Sequence, residues 1–327
     1  MIKRRGFKAL AAFAAAAFLL VGCSSTDGGG SDTSSSDSTG GSGGGDVTIG
    51  ATFPILDQFL QTVADAMQSK ADELGVTLNV VAADEQTDTQ LGQVENFIAQ
   101  GVDAILVIPV DTDAAGPMTQ AAQDAGVPLV YVNRKPSDLP AGVPYVGSDS
   151  LYAGTVEMQA LAEMAGGEGN VVILIGDPAN EAAVQRTQGC KDVVDENPGM
   201  TVTKEQAGNW YREEGQNIME NWIQSGDDIK VVCANNDEMA LGAINAIKAA
   251  GISLGADGIL VGGVDATSDA LASMEAGELS VTVFQDAAGQ GAGGVDAAMT
   301  LIGGGIVDDY VDIPYQLVTP DNMADFQ

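Results

Sequence analysis

Short apolar runs alternate with helical patterns along most of this chain, and that alternation restricts its fold more than any other feature. Residues 104–109 are apolar without a break, as a strand covered on both faces must be. A helical pattern at 89–100 precedes them, with Leu91, Val94, Phe97 and Ile98 on one stripe and Gly101 as its stop. The same logic predicts strands at 46–52, 76–83 and 128–133 and helices at 59–74 and 114–125. The rhythm restarts after 143–147, with helices at 150–165, 181–196, 212–225 and 237–250 and strands at 170–176, 201–206, 230–234 and 258–264. A strand at 279–285, a Gly- and Ala-rich helix at 287–302 and a last strand at 310–319 complete it; Pro314 puts an edge or a bend in that last strand. The pattern predicts an α/β fold with two doubly wound parallel-sheet lobes.

The first residues fall outside this rhythm. Lys3, Arg4, Arg5 and Lys8 precede an apolar run, 9–21, too short for a permanent membrane span, as in a signal peptide. The run closes on Leu20-Val21-Gly22-Cys23, which resembles the lipobox of bacterial lipoproteins, so residues 1–23 are expected to be a leader and Cys23 the lipidated residue. Residues 24–45 are almost wholly Gly, Ser, Thr and Asp and read as a flexible tether. The expected location is outside the cytoplasm, anchored to the cell membrane.

Charge and missing residue types narrow the chemistry. Thirteen Lys and Arg face 46 Asp and Glu, a net charge of −33 that repels phosphate backbones, so nucleic acid is not expected as a partner. The chain has no His, which removes the commonest acid–base group, the Ser-His and Cys-His pairs and most transition-metal sites. No phosphate-binding Gly loop or spaced metal-ligand set is present, so neither cofactor nor metal is expected. A carboxylate-dependent glycosidase using Asp57, Asp237 or Asp265 stays open as the enzymatic alternative. Cys190, in a helical pattern, and Cys233, in an apolar strand, read as small buried hydrophobes, with a disulfide between them left open as the lesser alternative.

Polar and aromatic residues recur where strands end. Asp57 and Phe59 follow the first strand, Asn133 and Arg134 the fourth, and Asn180 and Arg186 the strand at 170–176. Trp210, Asn236, Asp265 and Gln285 follow four later strands. In open α/β sheets such ends converge on the ligand crevice. Amide, carboxylate and guanidinium groups bracket adjacent hydroxyls, and an aromatic face covers the C–H face of a ring, so a small neutral polyol or sugar is the ligand class that fits. At the corner Asn235-Asn236-Asp237, Asn236 is expected to meet ligand and Asp237 to cap the following helix.

Four runs, at 234–242, 261–266, 283–287 and 313–320, carry a family resemblance. The chain resembles type I periplasmic sugar-binding proteins of ABC transporters, in the ribose, galactose and inositol/rhizopine branches. The resemblance implies two lobes, 46–148 with 285–312 and 149–284 with 313–327, joined by a three-strand hinge. It implies hydrogen-bonding roles for Asp57, Asn133, Arg186, Asn236, Asp265 and Gln285, with Phe59 and Trp210 stacking on the ring. Asn133-Arg134 stands where ribose binders carry Asp-Arg, and the His and Asp that galactose binders use near Asn180 and Ala182 are absent, as is their calcium loop. Residues 131–134, 209–212 and 313–320 look nearest to the inositol/rhizopine branch. The implied protein is a monomeric, non-enzymatic receptor that hands its ligand to an ABC permease, or alternatively feeds chemotaxis or a sensor kinase. A repressor of the same architecture would need a basic helix-turn-helix where this chain carries its leader.

Overall fold

A computed structural model describes residues 47–327; the leader, the Cys23 motif and the tether expected from the sequence lie outside the described residues. The first half runs β1 (Thr48–Phe53), α1 (Gln58–Leu74), β2 (Thr77–Ala82), α2 (Thr87–Gln100), β3 (Ala104–Val107), α3 (Gly116–Ala125), β4 (Leu129–Val132) and β5 (Tyr145–Gly147). The second runs α4 (Ser150–Met164), β6 (Glu168–Ile175), α5 (Glu181–Glu196), β7 (Gly199–Ala207), α6 (Arg212–Gln224), β8 (Val231–Ala234), α7 (Asp237–Ala249), β9 (Leu260–Asp265), α8 (Ser268–Glu275) and β10 (Val281–Phe284). It closes with α9 (Ala287–Ile302), β11 (Tyr310–Asp312) and β12 (Gln316–Val318).

These strands form two six-stranded sheets, ordered β11-β5-β4-β3-β1-β2 and β12-β10-β9-β8-β6-β7. The first is wholly parallel, and in the second only β12 runs antiparallel, to β10. Two α/β lobes result, each with helices on both sheet faces, which is why β3, β4, β8 and β9 are buried along their whole length. Strand order reverses around β1 in one sheet and β6 in the other, so the carboxyl ends there open a crevice. The chain passes between the sheets after β5, after β10 and after β11.

Two expectations are corrected. The single strand expected at 310–319 is two strands in different sheets, β11 and β12, because Pro314 has no N–H for a ladder and the chain changes sheet around it. Cys190 and Cys233 are not separate thiols but a disulfide joining α5 to β8, with Cα atoms 6.8 Å apart. Both sit at zero exposure, and only the packing of α5 over the sheet brings together residues 43 apart in sequence. Cross-linking a loop of that size contributes about 2–4 kcal/mol. The Glu157 carboxyl lies beside them, its oxygen and both sulfurs within 4.8 Å of one another, but joined sulfurs leave no thiolate to hold a metal.

Small residues set the closest helix contacts. A Cβ at Gly291 in α9 would lie 2.4 Å from the Val63 carbonyl oxygen of α1, and one at Gly154 in α4 would lie 2.0 Å from the Arg186 carbonyl oxygen of α5. The second contact fixes the backbone from which a buried arginine reaches the crevice.

Candidate functional site

The crevice holds a small cavity lined from both lobes. Its lining includes nine of the ten residues singled out from the sequence: Asp57, Phe59, Asn133, Arg134, Arg186, Trp210, Asn236, Asp265 and Gln285. Leu60 and Ala182 also line it; neither was singled out from the sequence as a ligand-binding residue. Asn180 stands apart. It lines a second cavity between the lobes with Thr112, Lys135 and Glu181, and its side-chain amide has no hydrogen-bond partner.

From the first lobe come Asp57, Phe59, Asn133 and Arg134. Asp57 caps α1, accepting from the Leu60 amide at 2.7 Å. Burial raises its carboxyl above the usual range, against the Leu60 hydrogen bond and Arg134. Asn133 adopts φ 65°, a left-handed conformation that Asn tolerates, and donates through Nδ2 to Gln290 Oε1 at 2.9 Å. Arg134 is buried and donates to the Pro109 carbonyl at 3.1 Å; burial lowers its pKa while Asp57, Asp177 and Glu85 oppose the change.

The second lobe supplies a network centred on Arg186. Its Nη1 donates to the Asn235 carbonyl at 2.6 Å, and its Nη2 to Gln285 Oε1 at 2.8 Å and Tyr315 Oη at 2.7 Å. Gln285 follows β10 and Tyr315 precedes β12, so one guanidinium holds two of the passages between the lobes. Burial disfavours its charge, but Tyr315 and Asp265 outweigh it and hold the group above its ordinary value. Tyr315 lay within a run that carried the family resemblance, yet its role depends on a contact 129 residues distant in sequence.

The Arg186 guanidinium also lies 5.7 Å from the Trp210 ring centroid, a cation–π geometry. Trp210 has φ 73°, and a Cβ at Gly176 would fall 2.1 Å from its indole, so Gly176 leaves the space that the ring fills. Asp265 closes the ring of polar groups at the end of β9. Burial pushes its carboxyl well above the usual range, and Arg186 opposes that rise.

The expected division between Asn236 and Asp237 is reversed for the cap. Asn236 caps α7, its Oδ1 accepting from the Met239 amide at 3.0 Å, while its Nδ2 donates to the Trp210 carbonyl at 3.2 Å; it also lines the cavity. Asp237 is fully buried, and its carboxylate accepts from the Thr267 amide and the Thr282 hydroxyl. Burial raises its carboxyl above the usual range, against the bonds from Thr282 and Thr267. Either residue type can cap, and only the strand geometry decides which one does. Asn236→Ala is therefore expected to lower stability by about 1 kcal/mol, the usual loss for an N-cap, and to weaken ligand binding as well. Urea unfolding and calorimetric titration of one preparation check both; an unchanged unfolding midpoint would contradict the capping role.

The lobes meet across the crevice. Gln58 Nε2 donates to Ser268 Oγ at 3.3 Å, the Thr112 amide to the Ala179 carbonyl at 3.0 Å, and the Glu181 amide to Thr112 Oγ1 at 3.2 Å. The lobes are thus in direct contact on both sides of the crevice.

Comparison with known proteins agrees with this geometry. Residues 51–306 match the family model described as periplasmic binding protein domain. A Rhizobium meliloti protein named for rhizopine binding is 45% identical over 287 residues, covering 86% of this chain and 92% of that protein. The ribose import binding protein of Bacillus subtilis is 32% identical, covering 84% and 88%. Among solved structures, an ABC transporter solute binding protein from Bacillus halodurans with bound myo-inositol superposes with TM-score 0.83 at 41% identity, covering 88% of this chain and 99% of that one. The Caulobacter myo-inositol binding protein gives TM-score 0.82 at 26% identity, covering 86% and 96%. The chain belongs to the periplasmic binding protein family, in its type I sugar-binding branch, and is a solute-binding protein and not an enzyme.

Proposed function

We propose that this protein is a lipid-anchored receptor that captures a neutral cyclitol, myo-inositol or a close relative, between its lobes and delivers it to an ABC permease. The observation that carries this is the composition of the cavity wall: two carboxylates and two guanidiniums, with amides between them and Phe59 and Trp210 alongside. Asp57 faces the charge of Arg134 and Asp265 that of Arg186, so the wall is balanced and suits a ligand rich in hydroxyls but without charge. The solved relative at 41% identity holds myo-inositol, which supports the cyclitol within the wider sugar class. In this reading Asp57, Asn133, Arg134, Arg186, Asn236, Asp265 and Gln285 bond the hydroxyls while the aromatic rings cover the ring faces. Asn180 lines the other cavity and takes no part in this reading. Ligand shifts the lobes toward closure by its greater affinity for that state. The protein acts as a monomer outside the cytoplasm, with Cys23 carrying the anchor.

Titration calorimetry and thermal melts against myo-inositol, ribose, galactose and xylitol test the ligand. Saturable one-to-one binding of myo-inositol with a raised melting temperature is expected, and no response to any of the four at millimolar concentration would refute the sugar-binding reading. Fractionation of cells producing Cys23→Ala tests the anchor: the variant should leave the membrane fraction, and its retention there would remove the lipidation claim.

A further inference from the structure

Asp237 contributes no atom to the cavity wall, yet its carboxylate is bonded to the turn that follows the wall residue Asp265. Its Oδ2 accepts from the Thr267 amide at 2.8 Å and its Oδ1 from the Thr282 hydroxyl at 2.7 Å. Thr282 Oγ1 in turn accepts from the Ala266 amide at 3.2 Å. One buried carboxylate thus holds two consecutive amides of the turn after β9, the first through Thr282 and the second directly.

That turn needs holding. Asp265 sits at φ 124° and Ala266 at φ 54°, in regions that cost a non-glycine residue about 1–3 kcal/mol each. The other backbone bond to this point is long, from the Gln285 amide to the Asp265 carbonyl at 3.3 Å. β9 itself leaves room for the carboxylate, since a Cβ at Gly263 would lie 2.4 Å from Asp237 Oδ1. Asp237 also directly follows Asn236, which lines the cavity from the start of α7.

We propose that Asp237 is a positioning residue: through Thr267 and Thr282 it locks the strained Asp265-Ala266 turn, and so fixes the Asp265 carboxylate and the Asn236 amide as one unit facing the ligand. The effect on affinity rests on the proposal that Asp265 meets the ligand; the effect on the turn does not.

The experiment uses the purified mature chain and its Asp237→Ala, Asp237→Asn and Thr282→Val variants. In the ligand-free protein, Asp237→Ala should speed amide exchange at 266 and 267 by about tenfold or more, as loss of a buried hydrogen bond implies, while amides of β6 and β8 keep their protection. Its Kd for myo-inositol should rise by about tenfold or more, a similar free energy. Asp237→Asn keeps an acceptor for Thr267 and should stay within about threefold of wild type. In an Asp265→Asn background, Asp237→Ala should add less than about twofold, because the two residues act as one unit. A merely structural role would instead multiply the losses and give no rescue by Asn, and either result overturns the proposal. So does unchanged exchange at 266 and 267. If Asp237→Ala does not fold, Thr282→Val decides: faster exchange at 266 supports the lock and unchanged exchange refutes it. If wild type binds no myo-inositol, the proposed ligand fails while the exchange data still judge the lock.

Discussion

Arg186→Met is expected to abolish measurable binding of myo-inositol and to lower the stability of the ligand-free protein by about 3–5 kcal/mol, as loss of one partner from a buried charged network does. The reason is the number of groups that depend on one guanidinium. Without it the Asn235 carbonyl and Gln285 Oε1 lose their donors, and the Tyr315 hydroxyl loses a partner. Asp265 would keep its burial and lose the cation that opposes its raised pKa. Arg186→Lys should be nearly as damaging, because a single ammonium cannot reproduce two donor arms in a fixed fork. Adding Asp265→Asn to Arg186→Met should restore part of the stability and none of the binding. Urea unfolding and calorimetry separate the effects; wild-type affinity in Arg186→Met would remove Arg186 from the site.

The second large effect concerns pH and lies away from the cavity. Glu157 in α4 is fully buried. The β8–β9 ladder ends at Cys233, and the next amide, Ala234, donates to Glu157 Oε1 at 3.0 Å, while Oε2 has no hydrogen-bond partner. Burial drives this carboxyl well above its ordinary 4.5, against the Ala234 bond and Arg186. A group with a raised folded-state pKa supports the fold fully below its unfolded value. That support is lost as pH rises toward the folded value, by about 1.4 kcal/mol per pH unit. Glu157→Gln keeps the oxygen facing Ala234 and cannot ionise. The variant is therefore expected to exceed wild type in stability at pH 8, to lose that advantage near pH 5, and to show a flatter pH slope between them. Urea melts across this range decide it, and parallel slopes would show that Glu157 does not titrate differently in the two states.

Much of the crevice was legible because its physics is local. A strand buried on both faces reads as an apolar run, and a polar residue directly after it stands at the strand's carboxyl end. Asp57, Asn133, Asn236 and Asp265 were found in this way, and the structure brings them to one cavity. Features that depend on packing between distant segments were not legible. Tyr315 becomes important only when β12 returns beside β10, and the Cys190–Cys233 bond needs α5 laid over β8. Asn180 followed the same strand-end logic, but the start of α5 turns it toward the neighbouring cavity. The cap was expected at Asp237 and stands at Asn236 because adjacent Asx residues offer the same acceptor chemistry, and only the position of Thr267 and Thr282 draws the Asp237 carboxylate elsewhere.

The three passages between sheets also fix the order in which this molecule can be completed. Strands β6 to β10 come from one unbroken stretch of chain, whereas the first sheet obtains its edge strand β11 and the covering helix α9 only after that stretch has been made. Until then the surface where Gly294 meets Val132, Met67 and Leu106 has no cover. In vectorial synthesis the lobe begun first is finished last, and its apolar face waits for contacts about half the chain or more away, a pairing that is slow and prone to aggregation.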